Sequence, residues 1–262
     1  MSGSVIVDRP AAGVLRLAIS NPAKRNALDH AILGAISDEL AAIGDDVRCV
    51  VLTGADGMFS SGYDISDIPL DDFPAQAERL VAHPFCRGLT ALDALDIPTL
   101  ALLPGSAIGG GLELAVACDL RLAATHIKLG MPPAKLGLIY SHSGLRRFID
   151  TIGAPRTREL FLLGRYIDAA TAAAWGLVNW VVDEDEVEDA GLAIATQLAA
   201  NAPLSMAGNT RVLRELLQAE GALDPDVERQ LLALRASSFE TEDLVEGVSA
   251  FAQKRSPSWK GR

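Results

Sequence analysis

Cysteine is scarce. Cys49, Cys86 and Cys118 are the three in 262 residues, an odd number at wide spacing that builds no disulfide framework. Cys49 and Cys118 sit inside apolar runs, where a free thiol behaves as a small core residue, so buried thiols are expected. Histidine is nearly as rare. His30, His83, His126 and His142 show no metal-ligand spacing with Cys or carboxylates, and a metal site is not expected. Long apolar runs are missing too: no segment approaches the roughly 18 uninterrupted apolar residues of a membrane-spanning helix. Residues 1–5 lack the basic and apolar regions of a secretory signal. A cytoplasmic protein without membrane contact is the expectation. Positive charge is in deficit, with a formal net charge of −11. Nucleic-acid binders need a basic surface to neutralise phosphates, so no nucleic-acid partner is expected. A few placed cations still suffice for an anionic small ligand.

What is present is ordinary for one large globular unit: 49% hydrophobic and 22% charged residues, with no low-complexity tract. The first half alternates short strands with helices. Residues 14–19 alternate like a half-buried strand and end at the turn signal Ser20-Asn21-Pro22. Asp29 is an N-cap for a helix with Ile32, Leu33, Ile36, Leu40 and Ile43 on one face, ending near Gly44. Residues 49–53, 99–103 and 120–123 read as short buried strands. Residues 76–95 read as mostly helical, interrupted at His83-Pro84. From Ser143 onward helices dominate, over 156–163, 168–175, 186–201, 203–220, 226–238 and 241–254, with one strand-like run at 178–182. The expectation is α/β: a core domain over 1–200 and a helical region over 201–262 of the same fold.

Two glycine-rich turns carry the chemistry. The first is Phe59-Ser60-Ser61-Gly62-Tyr63-Asp64-Ile65. The second, Pro104-Gly105-Ser106-Ala107-Ile108-Gly109-Gly110-Gly111-Leu112-Glu113-Leu114, leads from a strand into a helix expected over 112–117. Consecutive glycines at a helix start let a ligand approach the backbone and leave first-turn N–H groups free at the positive end of the helix dipole. Such a place stabilises an oxyanion. A tight strand–helix packing turn would use the same residues. Neither a dinucleotide fingerprint nor a P-loop is present.

Taken together, the two turns resemble the paired signatures of the crotonase (enoyl-CoA hydratase/isomerase) superfamily. The resemblance begins at Asn21-Pro22-Ala23-Lys24-Arg25-Asn26-Ala27-Leu28. It runs through Cys118-Asp119-Leu120-Arg121-Leu122-Ala123 and Ala174-Trp175-Gly176-Leu177-Val178-Asn179, and ends at Phe251-Ala252-Gln253-Lys254-Arg255-Ser256-Pro257. It implies a spiral of ββα units with a C-terminal α-helical trimerisation region, assembled as a homotrimer or a hexamer built as a dimer of trimers. It also implies an acyl-CoA substrate whose thioester carbonyl is polarised by the backbone N–H groups of Tyr63 and Gly110. No separate cofactor is implied, because coenzyme A arrives with the substrate. Ser61, Asp64 and Ile65 match the turn that receives adenine and pantetheine. Lys24 and Arg25 match the loop near the CoA phosphates. Phe251 and Lys254 match positions that contact the nucleotide of a neighbouring subunit.

The carboxylates depart from the family's hydratases, which use two Glu to activate water and to deliver a proton to carbon. Glu113 matches the first. Pro133 stands where the second would be, and proline has no acid–base function. Tyr140 lies just beyond, in Leu136-Gly137-Leu138-Ile139-Tyr140-Ser141-His142. This is similar to the methylmalonyl-CoA decarboxylase branch, although that branch often has His where Tyr63 stands. Loss of carbon dioxide from a malonyl-type thioester leaves an enolate, which an oxyanion hole stabilises without any base. The expected activity is therefore decarboxylation of a small malonyl-type CoA thioester. A hydratase/isomerase reaction through Glu113 or a non-carboxylate base, and a non-catalytic acyl-CoA-binding protein, are the alternatives.

Overall fold

The computed structural model describes residues 2–64, 85–221 and 225–260. The chain opens with strand β1 (Ser4–Ala11), which turns at Gly13 into an antiparallel partner, β2 (Val14–Ser20). Helix α1 (His30–Ala41) follows, started as expected by Asp29, whose side chain accepts the Ile32 N–H at 2.9 Å. Strand β3 (Cys49–Gly54), helix α2 (Cys86–Asp93) and strand β4 (Thr99–Leu103) come next. Every residue of β3 and β4 is buried, as strands covered on both faces require.

The second half of the spiral holds β5 (Ala107–Ile108), α3 (Gly110–Val116), β6 (Leu120–Ala124) and β7 (Lys128–Gly130). Then come α4 (His142–Leu163), β8 (Tyr166–Asp168), α5 (Ala169–Trp175) and β9 (Trp180–Val182). The large sheet has the order β1-β2-β3-β4-β6-β9 and is parallel from β2 onward; the small one has the order β5-β7-β8. Isolated bridges Leu28↔Tyr63 and Ser60↔Ala107 extend the small layer toward the N-terminus. Each turn of chain thus gives one strand to the large sheet and one short extended piece to the small layer, which makes the structure a spiral.

Helix α6 (Val187–Ala200) covers β3, β4 and β6. Helices α7 (Pro203–Gly221), α8 (Pro225–Ser238) and α9 (Glu242–Ala252) finish the chain. One large apolar core unites the spiral, and a small separate cluster of Phe239, Leu244 and Val248 ties α9 to the turn before Tyr140 through Leu138. Leu204, Val212, Leu213, Leu216 and Leu217 on α7 are exposed.

Several boundaries differ from expectation. Helix α3 begins at Gly110, not at 112, so Gly110 and Gly111 lie inside its first turn. Helix α4 starts at His142, well before 156, and is broken at Gly153 (φ 74°) just ahead of Pro155. The run 178–182 is strand only from Trp180, because Leu177 and Val178 are used in the turn that closes α5. Strand β1 was not anticipated: its residues are mostly exposed and carry no apolar alternation. The strands of the small sheet are too short to leave a pattern. Of the expected helix over 76–95, residues 76–84 lie outside the described residues.

Candidate active site

The Asn-Pro…Asn-Ala-Leu segment is a brace. Asn26 holds a left-handed conformation (φ 55°), and its buried amide donates to Ala55 O (2.8 Å) and Met58 O (2.7 Å) while its side-chain oxygen accepts the Asn21 N–H (2.8 Å). This clamps the loop carrying Lys24 and Arg25 onto the turn after β3. The Ser61 N–H donates to Arg25 O (3.1 Å), its hydroxyl donates to Lys24 O (3.0 Å), and Lys24 Nζ pairs with Asp64 Oδ2 at 2.8 Å. Four of the expected ligand-binding residues, Lys24, Arg25, Ser61 and Asp64, are therefore in one place. Ile65 lies outside the described residues. Phe251 is 61% exposed on the last turn of α9, and Lys254 just beyond it is left-handed (φ 53°). Among the described residues neither side chain bonds to the Lys24–Asp64 loop.

The two glycine turns meet. Leu28 bonds to Gly62 O (2.7 Å) and to the Asp64 N–H (2.9 Å), so the Tyr63 N–H between them faces the opposite side, as parallel pairing demands. That side holds the second turn. Gly62 (φ +99°) comes so close that a Cβ there would lie 2.9 Å from Ile108 O and 3.6 Å from the Gly110 nitrogen. Gly109 (φ 55°) turns the chain into α3, leaving Gly110 N–H in the unpaired first turn. Two backbone donors from separate turns sit side by side at a helix N-terminus. The Tyr63 ring lies over the second turn, leaving no room for a Cβ on Gly110, which would fall 2.7 Å from the ring's Cζ.

Glu113, one turn into α3, is 2% exposed. The Tyr140 hydroxyl donates to its Oε2. Burial raises the Glu113 pKa, and the Tyr140 hydrogen bond and the charges of Arg147 and Arg235 only partly offset it. Burial, and then the Glu113 charge, push the phenols of Tyr63 and Tyr140 well above their ordinary value. Both phenols stay neutral donors at neutral pH. The rings are fixed edge-on, Tyr63 against Phe85 (4.8 Å) and Tyr140 against Phe161 (5.3 Å).

Other residues complete the site without having been singled out in the sequence. A Cβ on Gly144 would lie 2.7 Å from Glu113 Oε1 and 2.6 Å from Tyr140 Cε1, so only glycine lets α4 start against this pair. Ser141 caps that start by accepting the Gly144 N–H at 3.1 Å. Arg147 forms a two-pronged pair with Asp93, both contacts at 2.8 Å. Burial alone would lower its pKa, but Asp93 outweighs that and raises it. The pattern Ser-x-x-Gly after a tyrosine was the available signal for Gly144; a lone arginine on a helix carries none. His142 Nε2 lies 3.5 Å from Glu228 Oε1.

Pro133 opens a short 3-10 turn (Pro133–Leu136), where it is buried and its carbonyl accepts the Leu138 N–H at 3.0 Å. It supplies no proton. Cys49 and Cys118 are buried, with their thiols pushed up to about 12 chiefly by burial, which makes them inert core residues; Cys86 is exposed. No group of potential metal ligands occurs among the described residues, and no described helix is long and apolar enough to cross a membrane.

Residues 9–262 match the enoyl-CoA hydratase/isomerase family. The chain belongs to that family. It is an enzyme of the crotonase superfamily with that superfamily's α/β fold, and an acyl-CoA substrate is consistent with that family. It is 34% identical over 251 residues to the 2,3-dehydroadipyl-CoA hydratase of Escherichia coli K12, covering 95% of this chain and 96% of that protein. A methylmalonyl-CoA decarboxylase in complex with 2-nitronate-propionyl-CoA superposes with a TM-score of 0.89 at 27% identity, over 99% of both chains. A carnitinyl-CoA hydratase from Mycobacterium avium superposes with a TM-score of 0.83 at 34% identity, over 100% of both chains.

Proposed function

We propose that the enzyme decarboxylates a small malonyl-type CoA thioester such as methylmalonyl-CoA. The observation carrying this reading is the buried Glu113–Tyr140 pair with Pro133 in place of a second acid. When the carbon–carboxylate bond breaks, its electron pair moves into the thioester carbonyl and carbon dioxide departs. The resulting enolate oxygen is held by the N–H groups of Tyr63 and Gly110, where preorganised donors are worth most. Burial favours the protonated form of Glu113, which delivers the proton to the α-carbon and is recharged from water. The neutral Tyr140 hydroxyl orients that carboxyl. Measuring carbon dioxide and product across malonyl-type and enoyl-type thioesters tests the reading, and no release from any malonyl-type substrate removes it.

A second reading, hydration or dehydration with Glu113 alone as base and acid, is favoured by the hydratase relative at 34% identity. Under either reading the Lys24–Asp64 loop, Arg25, Ser61 and Ile65 receive the CoA moiety. The exposed leucines of α7 bind a second copy of the chain in a trimer or hexamer, so that Phe251 and Lys254 reach a neighbour's nucleotide. Acyl-CoA substrates set the compartment, which we take to be the cytoplasm.

A further inference from the structure

Helix α8 presents one face to the segment around Tyr140. Ser238 Oγ accepts the Ile139 N–H at 3.2 Å, and Glu228 Oε1 lies 3.5 Å from His142 Nε2. Arg235 is one turn before Ser238 and two turns after Glu228, so it projects from the same face of the helix. Its guanidinium lies 5.2 Å from the Phe239 ring centre, and its Nε is buried with no hydrogen-bond partner. No carboxylate pairs with it among the described residues. A buried donor left unpaired is costly, and here it belongs to a charged group on the helix face that meets the Tyr140 segment. Its positive charge also favours the ionised forms of Glu113, Tyr63 and Cys86, three residues on separate elements.

We infer that Arg235, whose Nε is buried without a partner on the α8 face beside the Tyr140 segment, selects carboxylate-bearing acyl groups. The inference deepens the proposed activity and rests on the acyl-CoA reading of the site, but not on the bond that is broken. A planar guanidinium matches a carboxylate in shape and charge. The contact weakens as a leaving carboxylate becomes neutral carbon dioxide. Arg235 therefore contributes to substrate affinity and not to the chemical step.

The test is binding of two CoA thioethers, 2-carboxypropyl-CoA and propyl-CoA, which lack the thioester carbonyl and cannot react. The parent enzyme binds the carboxylated one about ten- to a hundredfold more tightly, as expected of a hydrogen bond to a charged group. Arg235→Gln erases that preference, and Arg235→Lys retains part of it. In turnover, Arg235→Gln raises KM for the malonyl-type substrate while kcat holds or rises. A residue that merely balanced the Glu113 charge would shift both ligands alike. Equal binding of the two thioethers by the parent overturns the inference, as does a preference that survives in Arg235→Gln. The two proposals fail separately: preference without carbon dioxide release removes decarboxylation alone, and release without preference removes the role of Arg235 alone.

Discussion

Tyr140 and Glu113, 27 residues apart in the chain, are joined by a hydrogen bond in which the phenol donates to the buried carboxyl. Tyr140→Phe keeps the ring against Phe161 and removes only that donor. A hydrogen bond to a neutral carboxyl is worth about 0.5–1.5 kcal/mol, roughly two- to tenfold in rate. The bond lowers the Glu113 pKa, so its loss raises that pKa further. The alkaline limb of the pH–rate profile therefore moves to higher pH, while the plateau rate falls. A pH series of carbon dioxide release on both proteins checks the two effects. An unshifted limb would mean that the bond does not tune Glu113.

Glu113 also sets a stability trade-off. Its folded pKa is raised, chiefly by burial, so the folded state binds its proton more tightly than the unfolded chain does. Folding stability from this group is greatest below its ordinary value of 4.5 and falls as pH rises through the folded pKa. Glu113→Gln mimics the protonated form. It should match the parent's melting temperature in acid and exceed it at neutral pH. Its activity should drop by about 10²–10⁴-fold, the usual worth of general acid–base help. Melting curves at about pH 4 and pH 8, either side of the raised pKa, decide the stability half.

Crotonyl-CoA hydration follows from Pro133. With no proton on that side chain, the rate should trail a two-carboxylate hydratase by about 10²–10⁴-fold. Turnover in the ordinary hydratase range would show that another group activates water.

The apolar stripe of α7 gives an assembly prediction. Leu213 and Leu217 are exposed and one turn apart, and a carboxylate between them and a second copy would be costly to bury. Leu213→Asp should convert a trimer or hexamer to smaller species by light scattering, with the circular dichroism of the fold retained.

How much of this was legible in the sequence differs by element. Strands buried on both faces, such as Cys49–Gly54 and Thr99–Leu103, announce themselves as apolar runs, and the Asp29 cap follows from local chemistry. Exposed β1 and the three-residue strands of the small sheet do not, because their pairing is set by the spiral and not by local preference. At the site, the resemblance of the two glycine turns to the crotonase signatures implied Tyr63 and Gly110; spacing alone would also have suited a packing turn. The Gly144 approach and the Arg147–Asp93 pair arise from contacts between distant segments, and no spacing encodes them. Arg235 is one arginine among many in the sequence, and only the helix face on which it lies makes it notable.

The packing of the Tyr63 ring on Gly110 offers the sharpest test of the oxyanion site. Adding a methyl at Gly110 places carbon 2.7 Å from Tyr63 Cζ, well inside contact distance. The first turn of α3 or the Tyr63 ring must move, and where the turn gives way the Gly110 N–H is displaced from the enolate oxygen. Losing one such donor costs about 10²–10³-fold in kcat. Gly34, in the middle of α1, is the matching control, since a Cβ there meets nothing within 4 Å. Gly34→Ala should be neutral in activity and stabilise the fold by about 0.4–1 kcal/mol through reduced freedom of the unfolded chain. Parallel kcat and melting measurements on the two variants separate the site from the scaffold. Gly110→Ala at parental activity would show that its N–H does not hold the enolate, and the carbonyl would then have to bind elsewhere.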